Sequence, residues 1–175
     1  MAKFKLTEDT TVLIAISLAT MLVLSTVAYT WMLPKPARYF FEIYPLGPEG
    51  MAANYPTEVA AGQLINVWIG VSNHMGRIEY LLVHVKVGAN ATAIPDDRAL
   101  TPSSATSRKQ VECFLMDNQT QMFPVTLAIS RPGINYNVMF ELWYYNETAG
   151  GFRFPWYDGS VYRVAWSQIW INVTA

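Results

Sequence analysis

Leu64–Val71 (LINVWIGV) and Ile78–Val87 (IEYLLVHVKV) decide the fold class. In the first, Ile65, Val67, Ile69 and Val71 share one face, because successive side chains of an extended chain point to opposite sides. In the second, Val83, Val85 and Val87 lie opposite His84 and Lys86. Turn-forming residues from Asn73 to Gly76 separate the two runs. Outward from this pair, Ala37–Tyr44 (ARYFFEIY), Val111–Met116, Phe123–Ile129, Tyr136–Tyr145 and Val161–Val173 carry the same signals, for about seven strands. Gly47-Pro48-Glu49-Gly50, Pro95-Asp96-Asp97, Arg131-Pro132-Gly133 and Ala149-Gly150-Gly151 punctuate them, and Thr101–Ser107 (TPSSATS) reads as an exposed loop. Short strands without an intervening helical pattern predict an all-β, immunoglobulin-like antiparallel β-sandwich. No Cys…Trp…Cys arrangement is present, so it is not an antibody-type domain.

Before the sandwich, Thr11–Leu33 (TVLIAISLATMLVLSTVAYTWML) runs without a charge. About 20 apolar residues cross a ~30 Å hydrocarbon core as a helix, so this segment is long enough to span a bilayer. Tyr29 and Trp31 lie where amphipathic rings favour the interface, and Pro34 and Pro36 stop the helix. The expected organisation is a cytoplasmic stub at 1–10, a transmembrane helix at 11–33, a linker at 34–37 and an external domain at 38–175. A cleaved signal peptide and a pilin-like helix compete with the retained anchor; the run exceeds the usual 7–15 apolar residues of signals. Ala15 and Ala19 form a small-xxx-small pair suited to helix packing.

Lys3 and Lys5 before the span nearly balance Lys35 and Arg38 after it, so charge does not orient the chain. Four N-glycosylation sequons, at Asn90, Asn118, Asn146 and Asn172, all follow the helix. They place the C-terminal domain outside the cell, with N-linked glycans among its expected attachments.

Aromatic residues crowd the end of the chain. Phe152-Arg-Phe154-Pro-Trp156-Tyr157 reads as a loop, since Gly150, Gly151 and Pro155 punctuate it. Such a loop is a candidate contact for a partner, a sugar or the membrane surface, or it folds back over the end of the sandwich.

The run from Phe41 (FEIYPLGPEGMAANYPTEVAAGQ), then VWIGVSNHMGRIEY, with IWINV near the end, resembles an uncharacterised, mainly archaeal membrane-protein family, domain of unknown function 1616. The turn bearing Gly47, Pro48 and Gly50 and the Asn73-His74 pair carry the resemblance most specifically. It implies an external β-sandwich on a membrane anchor and supplies no activity. Members of the family usually carry several membrane helices before this domain, whereas one is visible here.

Catalytic chemistry finds little support. His74, His84, Cys113 and Met116 approach the inventory of a blue-copper site, yet no His follows Cys113 within a few residues. A zinc site needs more His or Cys. No Gly-x-Ser-x-Gly elbow occurs, and Cys113 sits in an apolar strand, as an inert hydrophobe does. Asp96-Asp97 reads as a solvated turn, and His74 as a residue that closes a turn.

The chain is 52% hydrophobic and 14% charged, against roughly 25% charged in soluble domains. A net charge of −1 excludes a surface that binds nucleic acid through bulk charge. These observations predict a non-enzymatic, cofactor-free domain, anchored in a lipid bilayer and working through other membrane-protein subunits or envelope proteins. A filament subunit with its helix in the fibre core is the alternative, and a metal-binding electron-transfer or enzyme subunit the second.

Overall fold

A computed structural model describes residues 8–32, 39–89, 92 and 94–175. The linker at 34–37 and the Asn90 sequon lie outside these residues. The chain divides into two compact units, Met1–Ala37 and Arg38–Ala175.

The first unit contains one helix, α1 (Glu8–Met32). Apolar side chains occupy all of its faces, and none of its apolar window is buried within the protein. Its hydroxyls are satisfied internally: Ser17 and Thr20 donate to the carbonyls of Leu13 and Ile16, and Ser25, Thr26 and Thr30 to those of Leu22, Val23 and Val27. Residues 10–32 are long and apolar enough to cross a membrane.

The second unit is a β-sandwich of β1 (Phe40–Leu46), β2 (Glu58–Ala60), β3 (Leu64–His74), β4 (Glu79–Gly88), β5 (Ser107–Leu115), β6 (Thr120–Ala128), β7 (Gly133–Asn146), β8 (Gly151–Arg153), β9 (Trp156–Tyr157), β10 (Tyr162–Arg163) and β11 (Ala165–Thr174). One sheet has the order β1-β3-β6, the other β2-β11-β7-β4-β5 with β8 added to β7. Strands β9 and β10 form a separate hairpin. All pairings are antiparallel except β2 with β11. The first edge thus changes sheets: β1 pairs with β3, and after the turn at Gly47 the chain joins the larger sheet as β2.

The predicted alternation holds. Ile65, Val67, Ile69 and Val71 of β3 are buried against Leu81, Val83 and Val85 of β4, Val138, Phe140 and Leu142 of β7 and Ile171 of β11 in one core. Full burial of each such side chain contributes roughly 1.5–3 kcal/mol.

Two segments differ from expectation. The aromatic stretch at 152–157 is not a free loop: Tyr145 pairs with Phe152 and Tyr157 with Tyr162. Thr101–Ser107 is not wholly exposed either, since Ser103 is buried over the larger sheet. Strand β2 lacked a signal because three residues are too few to show a period.

Candidate functional site

The outer face of the larger sheet holds two different surfaces, and sequence alternation sets both. Odd-numbered β4 residues enter the core, so Tyr80, Leu82, His84 and Lys86 face outward. On β7 the outward set is Met139, Glu141, Trp143 and Tyr145, since Phe140 and Leu142 point inward. Registers place Tyr80 opposite Phe114 and Leu82 opposite both Glu112 and Trp143. They also set His84 between Gln110 and Glu141, and Glu141 beside Trp166.

The connection between β4 and β5 covers half of this face. Lys86 Nζ lies 2.9 Å from Glu141 Oε2 and donates to the Ser103 carbonyl at 2.8 Å. Glu141 Oε1 accepts from the Ser103 amide at 2.7 Å, and Oε2 from Trp143 Nε1 at 3.2 Å. Asp97 accepts from Trp166 Nε1 at 2.6 Å, pinning the same connection farther along. Paired and hydrogen-bonded, the two charges escape the penalty of burial alone. Burial, with the Lys86 charge second, pushes the His84 imidazole below its ordinary value, and Glu141 opposes them. Its Nδ1 is 3.3 Å from Gln110 Nε2, and its ring packs on Trp143 at 5.3 Å.

The other half is open. Phe114 of β5, Tyr80 of β4, Tyr145 of β7 and Phe152 of β8 form one aromatic row across four strands. Tyr80 stacks on Phe114 with centroids 4.3 Å apart and planes 9° from parallel. Its centroid is 5.9 Å from Tyr145 and 4.9 Å from Phe152, and Tyr145 meets Phe152 edge-on at 5.5 Å. Phe114 is 64% exposed, and Ile78 and Met116 near the same end are equally bare. Tyr80 donates its hydroxyl to Glu112, which raises the phenol above its ordinary value. Strand β5 forms an open edge of the sheet.

Of the four aromatic residues expected to contact a partner, two do not qualify. Phe154 is buried against Trp143, and Trp156 is buried edge-on to Phe41. Both left the surface because β8 and β9 fold back on the sandwich. Phe152, half-buried, belongs to the aromatic row, and Tyr157 is exposed beside Tyr162. Sequence reading missed Tyr80, Phe114 and Tyr145 as members of the row.

Asn73 is a hub between two turns. Its Nδ2 donates to the carbonyls of Arg77 and Leu115, both at 2.8 Å, and its Oδ1 accepts from Met75 N at 2.9 Å. Its backbone bonds Asn118 and Gln119. His74 Nδ1 is 2.9 Å from Asn118 Oδ1, with the ring stacked on Phe40 at 4.5 Å. The other motif turn is equally specified. A Cβ on Gly47 would fall 2.0 Å from the Ala53 carbonyl oxygen, Gly50 has a φ of 74°, and Pro48 O accepts from Trp68 Nε1 at 3.1 Å.

Among the described sequons, Asn118 Nδ2 donates to Asp117 and Asn146 Nδ2 to the Tyr144 hydroxyl. Asn172 uses its Oδ1 to accept from Asn135 N, and its side chain is exposed. Ala15 and Ala19 are exposed on α1, one turn apart. His84 faces outward and Cys113 inward, so the sheet separates them. Burial pushes the Cys113 thiol up to about 11. Among the described residues, no three His, Cys, Asp or Glu side chains are placed to hold a metal ion.

The sandwich is similar to several solved structures at low identity. A chain in the complex of Zinc 2-glycoprotein with Prolactin inducible protein, from human seminal plasma, superposes with a TM-score of 0.48 at 7% identity, covering 81% of this chain and 100% of that one. A CARDB domain from Pyrococcus furiosus, crystallised with di-metal ions, gives 0.45 at 12%, again covering 81% and 100%. A β-glucosidase from Listeria innocua in complex with glucose gives 0.42 at 10%, covering 77% of this chain and 16% of the enzyme. No curated protein matches. The family model described as Domain of unknown function (DUF1616) matches residues 34–155, more than half of the sequence, and the chain belongs to that family.

Proposed function

We propose that this chain is a membrane-anchored, non-enzymatic adaptor that binds other proteins through the open aromatic row of its β-sandwich. In this reading α1 spans the bilayer with the N-terminus in the cytoplasm. The sandwich lies outside the cell, glycosylated, in an archaeal envelope or as an accessory subunit of a membrane complex. One observation carries the proposal: exposed Phe114 and Tyr145 and half-buried Tyr80 and Phe152 form a row beside an open edge strand, while the β4–β5 connection closes the rest of that face. Aromatic side chains dominate interface hot spots, and an unpaired edge offers backbone hydrogen bonds to an added strand. The helix supports the anchor, since its hydroxyls bond the preceding turn and need no water.

The test is co-purification from native membranes in mild detergent. The wild-type chain is expected to bring partner subunits with it, and Phe114→Ser with Tyr145→Ser to lose them while the chain stays folded. A wild-type chain that elutes as a lone monomer overturns the reading.

A further inference from the structure

The end of the sandwich where β6 passes into β7 holds a cavity of about 500 Å³ that shares no residue with the aromatic row or with the Lys86–Glu141 pair. It lies between the two sheets, with the end of β6 on one side and residues of β4, β5 and β7 on the other. Val87 and Ile129, at the margin of the core, form its apolar part, and Arg108, Ser130, Arg131 and Tyr136 are its polar residues. Every other lining residue is a glycine or an alanine, so the described wall carries two positive charges and no negative one.

Arg108 reaches the cavity through an irregularity in the sheet. The register of β4 with β5 shifts between Val85, which opposes Lys109, and Lys86, which opposes Ser107, so Arg108 is the extra residue of a β-bulge. Bulges turn a side chain away from the direction that regular alternation gives it. Arg131 comes from the turn after β6. Tyr136 is set by packing, since a Cβ on Gly133 would fall 2.9 Å from its ring and 3.3 Å from its hydroxyl. None of these four polar side chains has an ion-pair or hydrogen-bond partner among the described residues, whereas Arg77, Lys86 and Arg163 each hold a carboxylate.

We propose that this cavity binds a phosphate monoester. Two guanidinium groups without a carboxylate beside them call for acceptors that carry negative charge, and their planar forks match pairs of phosphate oxygens. A monoester brings three terminal oxygens and a charge of about −1.5 to −2 at pH 7, which balances both cations. A carboxylate or a phosphodiester brings one charge and leaves the other cation unanswered. The hydroxyls of Ser130 and Tyr136 offer further donors to the same group. The cavity is larger than a phosphate and falls in the range of small-molecule sites, so Val87 and Ile129 have room to cover the organic part of the ester. That ester is either a soluble compound or the headgroup of a lipid.

The experiment uses the unglycosylated full chain in phosphatidylcholine nanodiscs, whose lipids carry phosphodiesters only. Calorimetric titration with glycerol 3-phosphate at about 0.1 M salt screens charges more than about 10 Å away. Saturable binding is expected with a dissociation constant of about 1 mM or below. Acetate at the same concentrations is expected to bind about tenfold more weakly or not at all. Arg108→Gln and Arg131→Gln, both at exposed positions, are each expected to weaken binding about tenfold or more, with thermal melts showing that the variants stay folded. Arg153→Gln, on β8 outside the cavity, is the charge control and is expected to leave the affinity within about twofold. Glycerol 3-phosphate that does not bind overturns the assignment, as does acetate that binds as tightly. Equal losses from Arg153→Gln and the two cavity variants overturn it as well. Phosphatidic acid vesicles that capture the wild-type nanodiscs but not those with Arg108→Gln identify a lipid headgroup. Vesicles that capture neither, beside glycerol 3-phosphate that binds, identify a soluble ester.

Discussion

Lys86 and Glu141 form a 2.9 Å ion pair on adjacent strands, with the Glu141 side chain wholly closed off and that of Lys86 nearly so. The pair also holds both backbone groups of Ser103, so it fastens the β4–β5 connection to the sheet. Lys86→Met leaves an uncompensated buried carboxylate and is expected to destabilise the fold by about 3–5 kcal/mol. The double variant Lys86→Met, Glu141→Leu is expected to cost clearly less than the two single changes added, because no lone charge remains. Chemical denaturation of the full chain in detergent checks this. A loss below about 1 kcal/mol for Lys86→Met would contradict the role assigned to the pair.

Asn73 and His74 are adjacent but carry different weights. Asn73→Ala deletes two buried hydrogen bonds and a part-buried one and orphans Met75 N and the carbonyls of Arg77 and Leu115, a loss of about 2–4 kcal/mol. His74→Ala removes one exposed hydrogen bond and a ring stacked on Phe40, and is expected to cost no more than about 1 kcal/mol. Thermal melts of the two variants give the comparison. Equal losses would place the specificity of this turn in the histidine instead.

The contrast marks how far local sequence reaches. Alternation at Ile65, Val67, Ile69 and Val71 was legible because a half-buried strand writes its period into neighbouring residues. The aromatic row was not, because Tyr80, Phe114 and Tyr145 lie on three strands and only register sets them side by side. Alternation put Lys86 on the face opposite Val83, Val85 and Val87 but gave no sign of the partner that buries it, since Glu141 is 55 positions away. Phe154 and Trp156 misled for a related reason. Gly150, Gly151 and Pro155 did punctuate the chain, but Gly151 opens β8, and the residues between turns were folded inward. That Arg108 and Arg131 line one cavity is a purely three-dimensional fact and leaves no trace in composition.

His84 gives the fold a defined response to acid. Its folded-state value lies below that of the unfolded chain, so at pH just under 6.5 the unfolded state binds more protons and stability falls. The loss continues until the pH passes the folded-state value. Lys86, Glu141, Gln110 and Trp143 surround the ring. Melting temperature followed from pH 7.5 to 5 is expected to drop more steeply in the wild-type chain than in His84→Gln. Parallel curves would remove His84 from the explanation.

The sequons predict an order of glycan occupancy. Asn118 is the most committed: its Oδ1 meets His74, its Nδ2 donates to Asp117, and the Thr120 hydroxyl of the same sequon is shared with Ser72 at 2.8 Å. Asn146 Nδ2 is likewise engaged, by Tyr144. Asn172 spends only its oxygen, on Asn135 N. An amide nitrogen that already donates within the fold must break that bond or carry the sugar in its one remaining direction, at a cost of roughly 0.5–1.5 kcal/mol for the lost bond. Among the described sequons, occupancy is therefore expected to be lowest at Asn118 and highest at Asn172 when the acceptor is the folded chain. Glycopeptide mass spectrometry of protein from its native membrane reads the order directly. Full occupancy at Asn118 would mean that sugar transfer precedes the closing of the β3–β4 and β5–β6 turns.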